Sequence, residues 1–196
     1  MIEEQTYIDS AKIIGCEVAI IKAVAQVESN GGGFDNTGRV KILFEPYIFY
    51  KALRTAGYDV GRLILPSANN SDILRSSWDA KMYGPSSIQW EKLKKASKID
   101  ERLALESCSY GMFQIMGFNY KAAGYLSVQA MYQAYSLGEN EQIRSFVNYI
   151  KASHLDDELR NKDFTSFARQ YNGPLYWQNN YDIKLKKAYE KFTLQA

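Results

Sequence analysis

The apolar positions of this chain recur mostly at helical spacing. Residues 6–14 and 17–29 read as two helices. In the second, Val18, Ile21, Ala25 and Glu28 share one face, with Ile20, Val24 and Val27 beside it. Ser29-Asn30-Gly31-Gly32-Gly33 then stops that helix abruptly. Beyond it the period changes. Val40–Phe44 is β-branched and aromatic, and it predicts a short strand or hairpin arm. Pro46 suits the first turn of a helix over about 46–56, which Gly57 ends. Residues 58–87 carry many Gly, Pro, Asn and Ser and read as an irregular excursion with short turns of helix.

A clear helix is expected over about 88–106, its apolar side made by Ile88, Trp90, Leu93, Ala96, Ile99, Leu103 and Leu105. Ser107–Gly117 reads as a compact loop with a short helical core. Further helices are expected at 119–123, 127–137, 139–152, 155–161, 163–170 and 180–192, with Asp163 as an N-cap. Between the last two, Tyr171-Asn172-Gly173-Pro174 is a turn by composition. Strands do not alternate with helices, which argues against a parallel α/β sheet. The expected fold is therefore mainly α, of an α+β kind: many short helices with one small β-hairpin in the first third. No repeat, low-complexity tract or linker divides residues 1–196, so one domain is expected.

Composition narrows the function classes. The chain has 24 Lys plus Arg against 22 Asp plus Glu, interspersed, for a net charge of +2. That is not the concentrated basic footprint of a nucleic-acid binder. No run of 18 apolar residues predicts membrane insertion. The N-terminal Met1-Ile2-Glu3-Glu4-Gln5 lacks the basic and apolar regions of a signal peptide. Cys16 and Cys108 make no disulfide framework and read as reduced and buried. The single histidine, His154, lies near an expected helix end, so a multi-histidine zinc site is excluded. Neither metal nor cofactor is expected, and the chemistry falls to carboxylates. The 15 Tyr, 9 Phe and 3 Trp fit either a tyrosine-rich core and rim or a cleft with aromatic walls.

Four segments carry candidate chemistry. Glu28 ends an apolar helix just before a glycine-rich loop. A carboxyl held against apolar residues is desolvated and stays protonated near neutrality, as a general acid must. Glu45 lies where a strand meets a helix and can face a cleft. Ser107–Tyr120 contains Gly111-Met112-Phe113-Gln114-Ile115-Met116-Gly117, where small residues admit a ligand to the backbone and Gln114 offers hydrogen bonds. Phe167–Pro174 contains Tyr171-Asn172-Gly173. Taken singly, each has a blander reading: a polar helix end, an acidic residue favoured by a helix dipole, a space-filling loop, a common turn.

Taken in order, they resemble the lysozyme-like superfamily, which includes goose-type lysozymes and lytic transglycosylases. More closely, the chain resembles the N-acetylmuramidase family of phage endolysins and related bacterial proteins. The matching stretches are residues 27–34, 38–45, 110–120 and 167–174, and Asn180–Leu185 also fits. The resemblance implies Glu28 as catalytic acid and Glu45 as the second acidic residue; Asp35, close to the glycine loop, stands in reserve for that role. It implies glycan contacts from Gln114, Tyr171 and Asn172, and site positions at Ser29, Met112, Phe113 and Asn119. The family often has a histidine two residues after the second glutamate, where this chain has Tyr47. Many relatives also carry a separate wall-binding domain, and none is expected here.

The implied reaction is hydrolysis of the β-1,4 bond from N-acetylmuramic acid to N-acetylglucosamine. A carboxyl separation of roughly 6.5–9.5 Å favours inversion and about 5 Å retention. The rivals are a lytic transglycosylase, which runs on one glutamate, and a non-catalytic wall-binding protein on the same scaffold. The expected partner is peptidoglycan, met by a monomer. Synthesis in a bacterial host's cytoplasm and action in the periplasm or wall are expected.

Overall fold

The computed structural model describes residues 2–28 and 32–195. Among them the chain forms eleven α-helices and one small sheet. Helix α1 (Glu4–Ile14) ends at Gly15, whose left-handed backbone returns its N–H to the Ala11 carbonyl at 2.8 Å. Helix α2 (Val18–Glu28) is apolar nearly all round and buries Ile20, Ile21, Ala23, Val24 and Ala25. A helix of that kind belongs inside. It packs between α1 and α11 (Tyr181–Thr193). Helix α8 (Glu139–Ala152) presents Ile143, Phe146, Val147 and Ile150 to the same core. Its neighbours α7 (Val128–Leu137), α9 (Asp156–Arg160) and α10 (Phe164–Tyr171) complete this helical body. As expected, Asp163 caps α10, accepting the Ser166 N–H at 3.0 Å. His154 follows α8 and is exposed.

The sheet corrects the sequence reading. Strand β1 (Ile42–Phe44) pairs antiparallel with β2 (Cys108–Tyr110), and β2 with β3 (Ile115–Met116). The hairpin is thus β2–β3, outside the first third. Just before β1, among the described residues, one isolated bridge joins Phe34 to Val40. The expected helical core in Ser107–Gly117 is instead the hairpin turn. Gly111 (φ 70°) and Gln114 (φ 49°) both take left-handed backbone, which no helix accommodates.

Helix α3 (Pro46–Thr55) begins on its proline as expected. Between it and residue 88 lie only a short helix, α4 (Val60–Leu63), and isolated 3₁₀ turns. The single helix expected over 88–106 is two, α5 (Gln89–Ser97) and α6 (Glu101–Glu106). Asp100 breaks it: its carboxylate accepts the Leu103 N–H at 2.8 Å and so caps α6. The expected helix at 119–123 is a 3₁₀ turn, Gly117–Asn119, continued by looser turns. Both cysteines are free; Cys108 is buried on β2 and Cys16 half-buried. Among the described residues, no helix is long and apolar enough to cross a membrane.

Candidate active site

Glu28 is the last residue of α2, so the core carries its backbone while its carboxyl emerges at the body's edge. There it borders two depressions. One, of about 320 Å³, also has Ile42, Leu43, Gly84, Gly111 and Gln114 in its wall. The other, of about 440 Å³, also has Phe113, Asn119, Tyr149, Tyr171, Asn172 and Tyr181. A third, of about 410 Å³, continues the first past Lys41, Ile42 and Ser86 to Asp35, Arg39 and Trp90. Together they trace a groove with Glu28 on it.

Burial drives the Glu28 carboxyl up from its ordinary 4.5 to about 6; the Asn172 amide and the Lys184 charge oppose that rise. Asn172 Nδ2 donates to Glu28 Oε1 at 3.1 Å. That bond ties the end of α2 to the turn after α10, and it unites the first and fourth sequence segments. A carboxyl in this state can donate a proton near neutrality.

Glu45 lies at the junction of β1 and α3 and is half-buried. Burial raises its pKa, and the Tyr83 hydroxyl, donating to Oε2 at 2.9 Å, works against that rise. Glu45 itself is not among the residues that border the three depressions, although Leu43, two residues before it, and Gly84, next to its partner Tyr83, are. Tyr47 does not touch Glu45 by hydrogen bond; its ring lies 5.2 Å beneath the Lys51 ammonium.

Asp35 is committed elsewhere. It accepts from Thr37 N at 2.8 Å, Thr37 Oγ1 at 2.6 Å and Arg39 N at 3.1 Å, and pairs with the Arg39 guanidinium at 3.0 Å. Desolvation works the other way, but the Thr37 and Arg39 bonds win and hold its pKa down at about 2. It closes a turn rather than awaiting a proton.

The remaining expected positions divide. Gln114 faces the groove, but both ends of its amide are used within the hairpin. Its oxygen accepts from Ser109 Oγ and its nitrogen donates to the Gly111 carbonyl, each at 2.8 Å. Tyr171 donates to the Phe113 carbonyl at 3.0 Å and stacks on Phe167. Met112 and Phe113 are nearly buried, and the Phe113 ring stacks on Phe146 at 4.3 Å. Asn119 borders the second depression. Ser29 lies outside the described residues.

Gln142, on α8, joins these parts. Fully buried, it accepts the Met112 N–H at 2.9 Å and donates to the Tyr135 carbonyl at 3.2 Å. It fills the spaces where a Cβ on Gly33 or Gly111 would lie, 2.0 Å and 2.6 Å from its oxygen. At Gly33 the missing side chain thus matters as room for Gln142. Sequence reasoning missed Gln142, and it missed Tyr83, Gln89 and Lys92. The one local signal was Tyr83-Gly84-Pro85, an aromatic before a turn in a polar stretch.

Comparison with known proteins bears on the family and the fold. The family model described as Muramidase, N-acetylmuramidase, matches residues 17–193. Among solved structures, the crystal structure of a Burkholderia AP3 phage endolysin superposes with a TM-score of 0.87 at 34% identity, covering 98% of this chain and 70% of that one. No curated protein sequence matches.

Proposed function

This chain belongs to the N-acetylmuramidase family, at which level it is a lysozyme-type glycosidase of peptidoglycan, and from that premise we propose that it hydrolyses the β-1,4 bond from N-acetylmuramic acid to N-acetylglucosamine. Glu28 is the general acid. It protonates the glycosidic oxygen as the bond breaks. Glu45 is the second carboxylate, ionised, stabilising the positive sugar centre or activating water. Asn172 orients Glu28, and the groove holds the glycan strand. The setting is that of an endolysin, as the solved relative's name describes that protein.

The observation that carries this reading is Glu28 itself, a desolvated carboxyl near pKa 6 on the groove, with an amide donor fixing one oxygen. Replacing Glu28 by Gln keeps the shape and removes the proton. General acid catalysis contributes roughly 10²–10⁴-fold, so wall lysis by Glu28→Gln should fall by about that factor with the circular dichroism spectrum unchanged. Full activity in that variant would sink the enzyme reading and leave a wall-binding protein.

One observation favours a second reading. Glu28 borders the groove and Glu45 does not. A lytic transglycosylase needs one carboxyl, with a sugar hydroxyl in place of water. Mass spectrometry of digested peptidoglycan separates the two: reducing ends support hydrolysis, and anhydro-muropeptide ends overturn it. Lysis should also be insensitive to EDTA.

A further inference from the structure

Tyr83 lies in the irregular excursion, yet its surroundings are built. Trp78 Nε1 donates to the Tyr83 hydroxyl oxygen at 2.9 Å, and that hydroxyl lies 2.9 Å from Glu45 Oε2. An indole nitrogen can only donate. It therefore occupies an acceptor site of the phenol and leaves the phenolic proton to point at the carboxylate. The Tyr83 backbone is gripped as well. Its carbonyl accepts from Gln89 Nε2 at 2.8 Å and from Lys92 Nζ at 2.7 Å. Both side chains are almost completely buried. The same Gln89 accepts the N–H of Phe44 at 3.0 Å, the residue just before Glu45. One amide thus ties together the backbones that bear the two partners.

We propose that Tyr83, backed by Trp78, is the positioning residue of Glu45: it holds one carboxylate oxygen in a fixed direction and favours the ionised form. This rests on the reading of Glu45 as the second carboxylate. Burial pushes the Tyr83 phenol up to about 12, so it remains a donor wherever the enzyme works. Two further titratable groups are packed about this pair. From β2 comes the Cys108 thiol, which burial keeps protonated. From α5 comes Lys92, whose ammonium is taken by the Met82 and Tyr83 carbonyls.

The test is Tyr83→Phe, which keeps the ring and the gripped backbone and removes one hydroxyl. Loss of a donor to the carboxylate raises its pKa. The acid limb of the kcat/KM profile should then move to higher pH by about half to one unit. The alkaline limb, set by Glu28, should stay. A roughly tenfold fall in kcat should come with little change in KM. Trp78→Phe should shift the acid limb in the same direction by less. Carbon-13 carboxyl NMR should show the Glu45 titration rising in Tyr83→Phe. Glu45→Gln supplies the control on the underlying reading. If Glu45→Gln is inactive while Tyr83→Phe leaves both the acid limb and the Glu45 titration in place, the positioning role is overturned and the catalytic reading stands. If Glu45→Gln keeps full activity, the reading of Glu45 falls, and this inference with it.

Discussion

The same burial that suits Glu28 to its chemistry should cost the fold stability at neutral pH. In the folded chain its carboxyl titrates at about 6 instead of 4.5. Folding therefore favours the protonated form. The stabilising contribution is fully present below pH 4.5 and is lost as pH rises through about 6. The rise is worth about 2 kcal/mol between these limits. Glu28→Gln fixes a neutral group that can still accept from Asn172, so it should escape that loss. The variant should match the wild type near pH 4 and exceed it by about 2 kcal/mol at pH 7. For a chain of this length that is roughly 4–8 °C in Tm. Chemical denaturation at both pH values, with wild type and variant in parallel, measures the difference directly. A gap that does not change with pH would refute the reasoning, because it would mean that the carboxyl is not desolvated in the folded chain.

Three further outcomes follow from the site. Asn172→Ala removes a donor to ionised Glu28, so the alkaline limb of the activity profile should move upward by about half a pH unit or more; a downward shift would contradict the contact. Gly33→Ala drives a methyl into Gln142, which cannot leave without stranding the buried Met112 N–H. A loss of about 1–3 kcal/mol is expected from equilibrium denaturation, and an unchanged midpoint would refute the clamp. Asp35→Asn should leave lysis within about twofold of wild type near neutral pH, since that carboxylate serves a turn; a loss as large as that of Glu28→Gln would restore Asp35 to the catalytic pair.

The helices were legible where periodicity and capping agreed. Helices α2, α7, α8, α10 and α11 stand close to their expected limits, because their apolar stripes and caps are local signals. The sheet was not legible. Its strands are two and three residues long, and β1 pairs with a segment beyond four α-helices, α3 to α6. Nothing near residue 42 encodes that partner. The site shows the same division. Glu28 and Asn172 stood out in their segments, although their bond spans 144 residues. Gln114 was expected to contact sugar; it does border the groove, and it also gives one N–H and one lone pair of its amide to the hairpin turn. Gln89 and Lys92 read as polar helix positions. Only the fold turns them inward, where backbone carbonyls satisfy them.

The excursion that carries Tyr83 leaves β1 at Glu45 and returns to β2 at Ser107, where the Glu45 N–H meets the Ser107 carbonyl at 3.0 Å. Its two ends are therefore stapled together, whatever lies between them. Closing such a segment costs little more when it is longer, about 0.6 kcal/mol per doubling. An insertion in the exposed stretch between α4 and Asn70 should therefore lengthen this wall of the groove at little cost in closure, while α3, α5 and α6 stay anchored in the core by Phe49, Leu53, Leu93, Ala96 and Leu103.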